Sequence, residues 1–142
     1  MNSCYRICIC LSFLLFTLLA CGQEEVVKPA LQINKGACNA SDRSRHIYRR
    51  NAVFLKKWEE CGRETWGDGP GTTQCLIKHH PTLSAACAAC FGDHVACTKS
   101  NCWWKCGPLG TTSSCEQCSV SSCEPGLVKC SGVDSAALPS KY

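Results

Sequence analysis

The sequence predicts a small, all-α, disulfide-rich fold: a long amphipathic helix packed on a disulfide-laddered αα-hairpin with bent arms. Three observations predict it. An export-type leader would leave twelve of the sixteen cysteines in an oxidising compartment. Residues 41–62 carry apolar side chains at helical spacing. The cysteines from Cys90 to Cys130 are spaced as near mirror images about a central turn.

The redox compartment decides whether cysteines act as cross-links, ligands or thiols, and the N-terminus indicates the compartment. Residues 7–20, ICICLSFLLFTLLA, are apolar apart from Ser12 and Thr17, and too few to span a bilayer comfortably. Small residues at Ala20 and Gly22 favour cleavage after Gly22, which leaves Gln23 first. The rival reading is a bacterial lipoprotein box, LLAC at 18–21, with Cys21 lipidated. The domain plan is a signal peptide over 1–22, a flexible segment over 23–37, one cysteine-rich helical domain over 38–131 and a flexible tail over 132–142. Removing 1–22 takes Cys4, Cys8, Cys10 and Cys21 and leaves an even set, suited to six bonds. Asn39-Ala40-Ser41 is an acceptor for N-glycosylation at Asn39. The C-terminal residues SGVDSAALPSKY carry neither a lipid-anchor tail nor a retention signal.

Residues 41–62 read as one helix, capped at Ser41 or Asp42 and ended by Gly62. At about 100° per residue, Ile47, Phe54, Trp58 and Cys61 share an arc that Tyr48 and Leu55 extend. Arg45, His46, Arg49, Arg50, Lys56 and Lys57 take the opposite arc; Asn51 and Val53 fit neither. The chain's net charge is +4, and this face holds a large share of its cations. Residues 64–73, ETWGDGPGTT, read as a loop, followed by a short helix over 73–80 that Pro81 stops. A further helix starts near Thr82 or Ser84 and ends at Gly107-Pro108. Ser113 and Glu116 match a capping box for the next helix, and Pro125 suits the first turn of another, capped near Ser121 or Ser122.

Backward from the 107–112 turn the cysteines are Cys106, Cys102, Cys97 and Cys90, at steps of 4, 5 and 7. Forward they are Cys115, Cys118, Cys123 and Cys130, at steps of 3, 5 and 7. Opposed numbers sum to 221, 220, 220 and 220, the constant sum of an antiparallel hairpin. The predicted rungs are Cys90–Cys130, Cys97–Cys123, Cys102–Cys118 and Cys106–Cys115. A β-ladder needs a bulge at the 4-against-3 mismatch and flips a side chain at each odd step. Helices fit the Ala-rich sequence better. A step of 5 turns a straight helix by about 140°, so each arm is expected to break once, near residues 98–101 and 119–122. Cys38 and Cys61 lie at opposite ends of a long helix and cannot meet, which leaves two schemes, Cys61–Cys75 with Cys38–Cys87 or Cys38–Cys75 with Cys61–Cys87; the short closure over the Gly-rich loop makes the first the preferred one.

Several chemistries compete for the same residues. Cys87-x-x-Cys90 and Cys115-x-x-Cys118 have zinc-ligand spacing, and His46, His79, His80 and His94 are available. Export makes cross-links the better reading, so no metal and no cofactor is expected. Asp93-His94 between Cys90 and Cys97, after a Gly-rich loop, raises a calcium-dependent hydrolase of the phospholipase A2 type. That family places His before Asp, an adjacent cysteine pair before the histidine and cysteines in the calcium loop, all missing here. Trp103 and Trp104 cover the core, with one of them partly exposed as a binding anchor. The basic helix would attract an acidic extracellular protein surface or receptor, or an anionic membrane or glycan. Nucleic acid is not expected outside the cell. The expectation is a secreted, non-enzymatic binding protein: an extracellular ligand, toxin or pheromone-like factor. A membrane-active defence protein is the alternative.

Overall fold

Asn39 starts the first helix by a reciprocal cap. Its Oδ1 accepts from the Asp42 amide at 3.0 Å, and the Asp42 carboxylate accepts from the Asn39 amide at 2.9 Å. This computed structural model describes residues 36–48, 51–107 and 112–139. The leader, its cleavage site and Cys21 lie outside the described residues. Helix α1, Ala40–Asp42, runs into a wide π-helical turn, Arg43–Ile47. Asp42 is fully buried and also accepts from the Ser84 amide at 2.8 Å and the Ser84 hydroxyl at 2.7 Å. Ser84 in turn caps α4, so one carboxylate and the Cys38–Cys87 bond pin two helix starts together.

The long helix expected over 41–62 is broken. Tyr48 is extended, and Asn51 caps a fresh helix, α2, Ala52–Glu64. Asn51 Oδ1 accepts from the Val53 and Phe54 amides, while its Nδ2 donates to the Arg45 carbonyl at 3.2 Å. An Asn that satisfies both sides of a break competes well with one in a helix interior. α2 runs past Gly62 and ends in a Schellman motif: the Trp66 amide donates to the Arg63 carbonyl and the Gly67 amide to the Gly62 carbonyl.

Only residues 65–68 remain of the expected Gly-rich loop. Asp68 accepts from the Gly71 amide at 2.7 Å and Pro70 sits in the first turn, so α3 spans Gly69–His79. α4 spans Ala85–Cys106 and α5 spans Ser113–Ser131, both unbroken. Thr112, not Ser113, caps α5, accepting from the Cys115 amide at 3.2 Å. Pro125 lies inside α5 and starts no new helix. Its missing N–H removes one intrahelical bond, the one to the Ser121 carbonyl.

The fold is all-α and disulfide-rich, with no strand among the described residues. α4 and α5 form an antiparallel hairpin crossed by Cys90–Cys130, Cys97–Cys123, Cys102–Cys118 and Cys106–Cys115. Cys38–Cys87 and Cys61–Cys75 tie α1 and α3 to it and to α2. Each bond contributes about 2–4 kcal/mol by restricting the unfolded chain.

The arms stay straight because the rungs flank the seam. On each helix the two cysteines nearest the turn, Cys102 and Cys106 or Cys115 and Cys118, face one side, and the two farther from it, Cys90 and Cys97 or Cys123 and Cys130, face the other, about 100–150° away. A disulfide joining Cα atoms 4.4–5.8 Å apart can reach across from either flank. Small polar residues fill the middle: the Thr98 and Ser119 hydroxyls meet at 2.8 Å.

Phe91 of α4 is the hub of the core. Phe54 and Trp58 stack edge-on against it at 5.0 and 4.9 Å, and Trp58 Nε1 donates to its carbonyl at 3.2 Å. Ile47, Leu76, Leu83 and Leu127 complete the cluster. The segment from 132, expected to be a loose tail, packs down as far as Pro139: Val133 and Leu138 are buried in the core around a 3₁₀ turn, Ser135–Ala137. No helix among the described residues is long and apolar enough to cross a membrane.

Candidate functional site

The helix break divides the expected basic face between two segments. Arg45 and Lys56 are exposed but sit on different segments, and Lys57 forms an ion pair with Glu60. Arg49 and Arg50 lie outside the described residues. His46 is buried, contrary to its place on the basic arc. Its Nε2 meets the Thr82 hydroxyl at 2.9 Å, and its ring lies 5.1 Å from His80. Burial lowers the pKa of both histidines. Tyr48, expected on the apolar arc, is exposed because the chain is extended there.

The cysteines with ligand-like spacing, Cys87, Cys90, Cys115 and Cys118, all lie in disulfides. Among the described residues no cluster of His, Cys, Asp or Glu could hold a metal ion. Asn39 is exposed, with its Oδ1 engaged in the helix cap.

A groove of about 690 Å³ runs between α2, α4, α5 and the C-terminal turn. Leu55 and Trp58 line it from α2, Val95 and Trp103 from α4, Val120 and Leu127 from α5, and Leu138 and Pro139 from the end of the chain. The α4–α5 rungs and the Trp58–Phe91 contact fix these walls. The volume falls in the range that small-molecule sites occupy.

Three aromatic residues mark the groove. Trp58 is part-buried in its wall, Trp66 is 72% exposed and Trp103 is 52% exposed. Trp104, 74% exposed, lies outside it, so both hairpin tryptophans are more exposed than a core-covering role allows. Trp66 holds φ at 54°, the left-handed conformation at the end of α2 where Gly is usual. A bulky side chain there costs about 1–2 kcal/mol. Its only cue in the sequence is a tryptophan within a Gly-rich turn.

One polar element interrupts the apolar wall. Ser119 Oγ sits 2.8 Å from Thr98 Oγ1 and 3.3 Å from His94 Nε2, and the His94 ring lies 5.1 Å from Trp58. Burial pushes the His94 pKa down to about 4. Asp93 is exposed, while its neighbour His94 turns into the seam. At the rim Arg63 approaches Glu59 at 4.0 Å, Glu124 accepts from Ser135, and Lys99 and Glu116 complete a mixed set of charges.

No known protein family, curated protein or solved structure matches the chain.

Proposed function

We propose that this is an extracellular binding protein that takes a small, largely apolar molecule into the groove. The observation that carries the reading is Trp66: an exposed tryptophan is held at the mouth of a ligand-sized cavity in a backbone conformation that costs stability. Strained residues of this kind cluster at functional sites. The disulfide frame suits a protein that keeps an open cavity without a large core. With the basic helix interrupted between Tyr48 and Asn51, Arg45 and Lys56 lie on different segments, and the groove is the site we favour.

The Ser119–His94 contact invites a hydrolase reading. Against it, burial alone sets the titration of His94, with no acidic neighbour contributing. A base of so low a pKa activates serine poorly at neutral pH. Binding without turnover is the reading we adopt.

The test is titration with N-phenyl-1-naphthylamine, followed by probe emission and tryptophan quenching. Saturable binding is expected. Trp66→Gly should raise the unfolding free energy by about 1 kcal/mol, because it relieves the left-handed strain. The same change should weaken probe binding roughly three- to tenfold through the lost aromatic contact. Absence of saturable binding, or a Trp66→Gly protein that binds as tightly as the parent, contradicts the proposal.

A further inference from the structure

We infer that the groove selects uncharged ligands bearing a hydroxyl, long-chain or polycyclic alcohols in preference to fatty acids or alkylamines, and that the Thr98–Ser119–His94 chain reads that hydroxyl. The inference rests on the binding reading above and narrows its ligand class.

Each hydroxyl carries one donor and two acceptor sites, and a neutral imidazole has one donor and one acceptor nitrogen. Protons can run from Thr98 to Ser119 to His94 Nε2, which leaves Thr98 offering lone pairs to the groove. They can also run from His94 Nε2 to Ser119 to Thr98, which leaves the Thr98 proton to donate. The 2.8 and 3.3 Å separations allow both directions. A ligand hydroxyl completes the chain in either, because it both donates and accepts. A ketone, an ether or a carboxylate satisfies only the second, and an ammonium only the first.

Charge points the same way. The polar element in the wall is made of neutral groups, since burial keeps His94 uncharged. The nearby formal charges belong to the rim, where Arg63 is engaged by Glu59. A carboxylate or ammonium seated at the Thr98–Ser119–His94 chain would lose hydration and meet neutral groups there. A hydroxyl loses far less and regains a hydrogen bond from the chain. The apolar walls and Trp58 then hold the hydrocarbon body.

The experiment is displacement of N-phenyl-1-naphthylamine at pH 7.5 by three ligands of matched chain: 1-dodecanol, dodecanoate and dodecylammonium. Dodecanol should displace the probe at a concentration at least about tenfold lower than either ion. In Ser119→Ala and Thr98→Val, with displacement referred to each variant's own probe affinity, the three ligands should come within about twofold of one another. An ion that competes as well as the alcohol overturns the inference, as does a preference that survives both substitutions. In those cases probe binding by the parent leaves the broader reading standing. If the parent fails to bind the probe or any of the three, both fall. If a variant fails to fold, the ranking in the parent protein decides.

Discussion

Gly92→Ala should destabilise the protein by about 3 kcal/mol, measured as the urea unfolding midpoint of the oxidised protein. A Cβ at Gly92 would lie 2.2 Å from Thr73 Oγ1 and 2.4 Å from the Gly69 carbonyl oxygen. The second contact is backbone and cannot rotate away. α3 cannot retreat either, because Cys75 binds it to Cys61 of α2. The strain therefore spreads into the helix that lines the groove. Gly62→Ala is the matched control. Its Cβ would meet the Val95 methyl groups at 3.4 and 3.5 Å, an ordinary contact. Alanine also favours a helix interior by up to about 1 kcal/mol, so this variant should be at least as stable as the parent. Equal stability of the Gly92→Ala and Gly62→Ala proteins would contradict the packing described for α3 and α4.

Acidification should weaken the fold by about 3 kcal/mol between pH 6.5 and pH 4, most of it through His94. The histidine binds a proton near pH 6.5 in the unfolded chain and near pH 4 in the folded one. Between those values the unfolded state holds more protons, so stability is full above the window and falls as pH drops through it. His46 and His80 are shifted in the same direction and add to the loss. His94→Gln keeps a neutral polar side chain beside Ser119 and removes the titration. Its urea midpoint should change much less across the window. A parent protein equally stable at pH 7 and pH 4.5 would show that His94 is not buried as described.

The sequence carried the hairpin more clearly than the site. Equal rise along two antiparallel helices makes the residue numbers of opposed cysteines sum to a constant, so pairing is written in the spacing. The straight arms were hidden because the wheel angle between Cys97 and Cys102 looks like a misfit. It becomes a fit once rungs are allowed on both flanks of one seam. The break at 48–51 was hidden for another reason. Asn51 stood out only as a residue that fitted neither arc, and its two-sided hydrogen bonding depends on where the Arg45 carbonyl lies. Ile47 and Phe54 reach the core even so, because the break changes their direction of approach and not their apolar character. The groove was least legible. Trp66, His94 and Ser119 lie on separate segments that the disulfides and Phe91 bring together, and no local pattern marks them.

The central claim is that four cross-links join α4 to α5 at constant sum and hold the groove open. Digestion of the native protein without reduction, followed by mass mapping of the linked peptides, tests it most directly. The account predicts Cys97 joined to Cys123 and Cys102 to Cys118, with Cys90–Cys130 and Cys106–Cys115 outside them. Alkylatable thiols at those positions, or bonds from them to cysteines outside the hairpin, would contradict it.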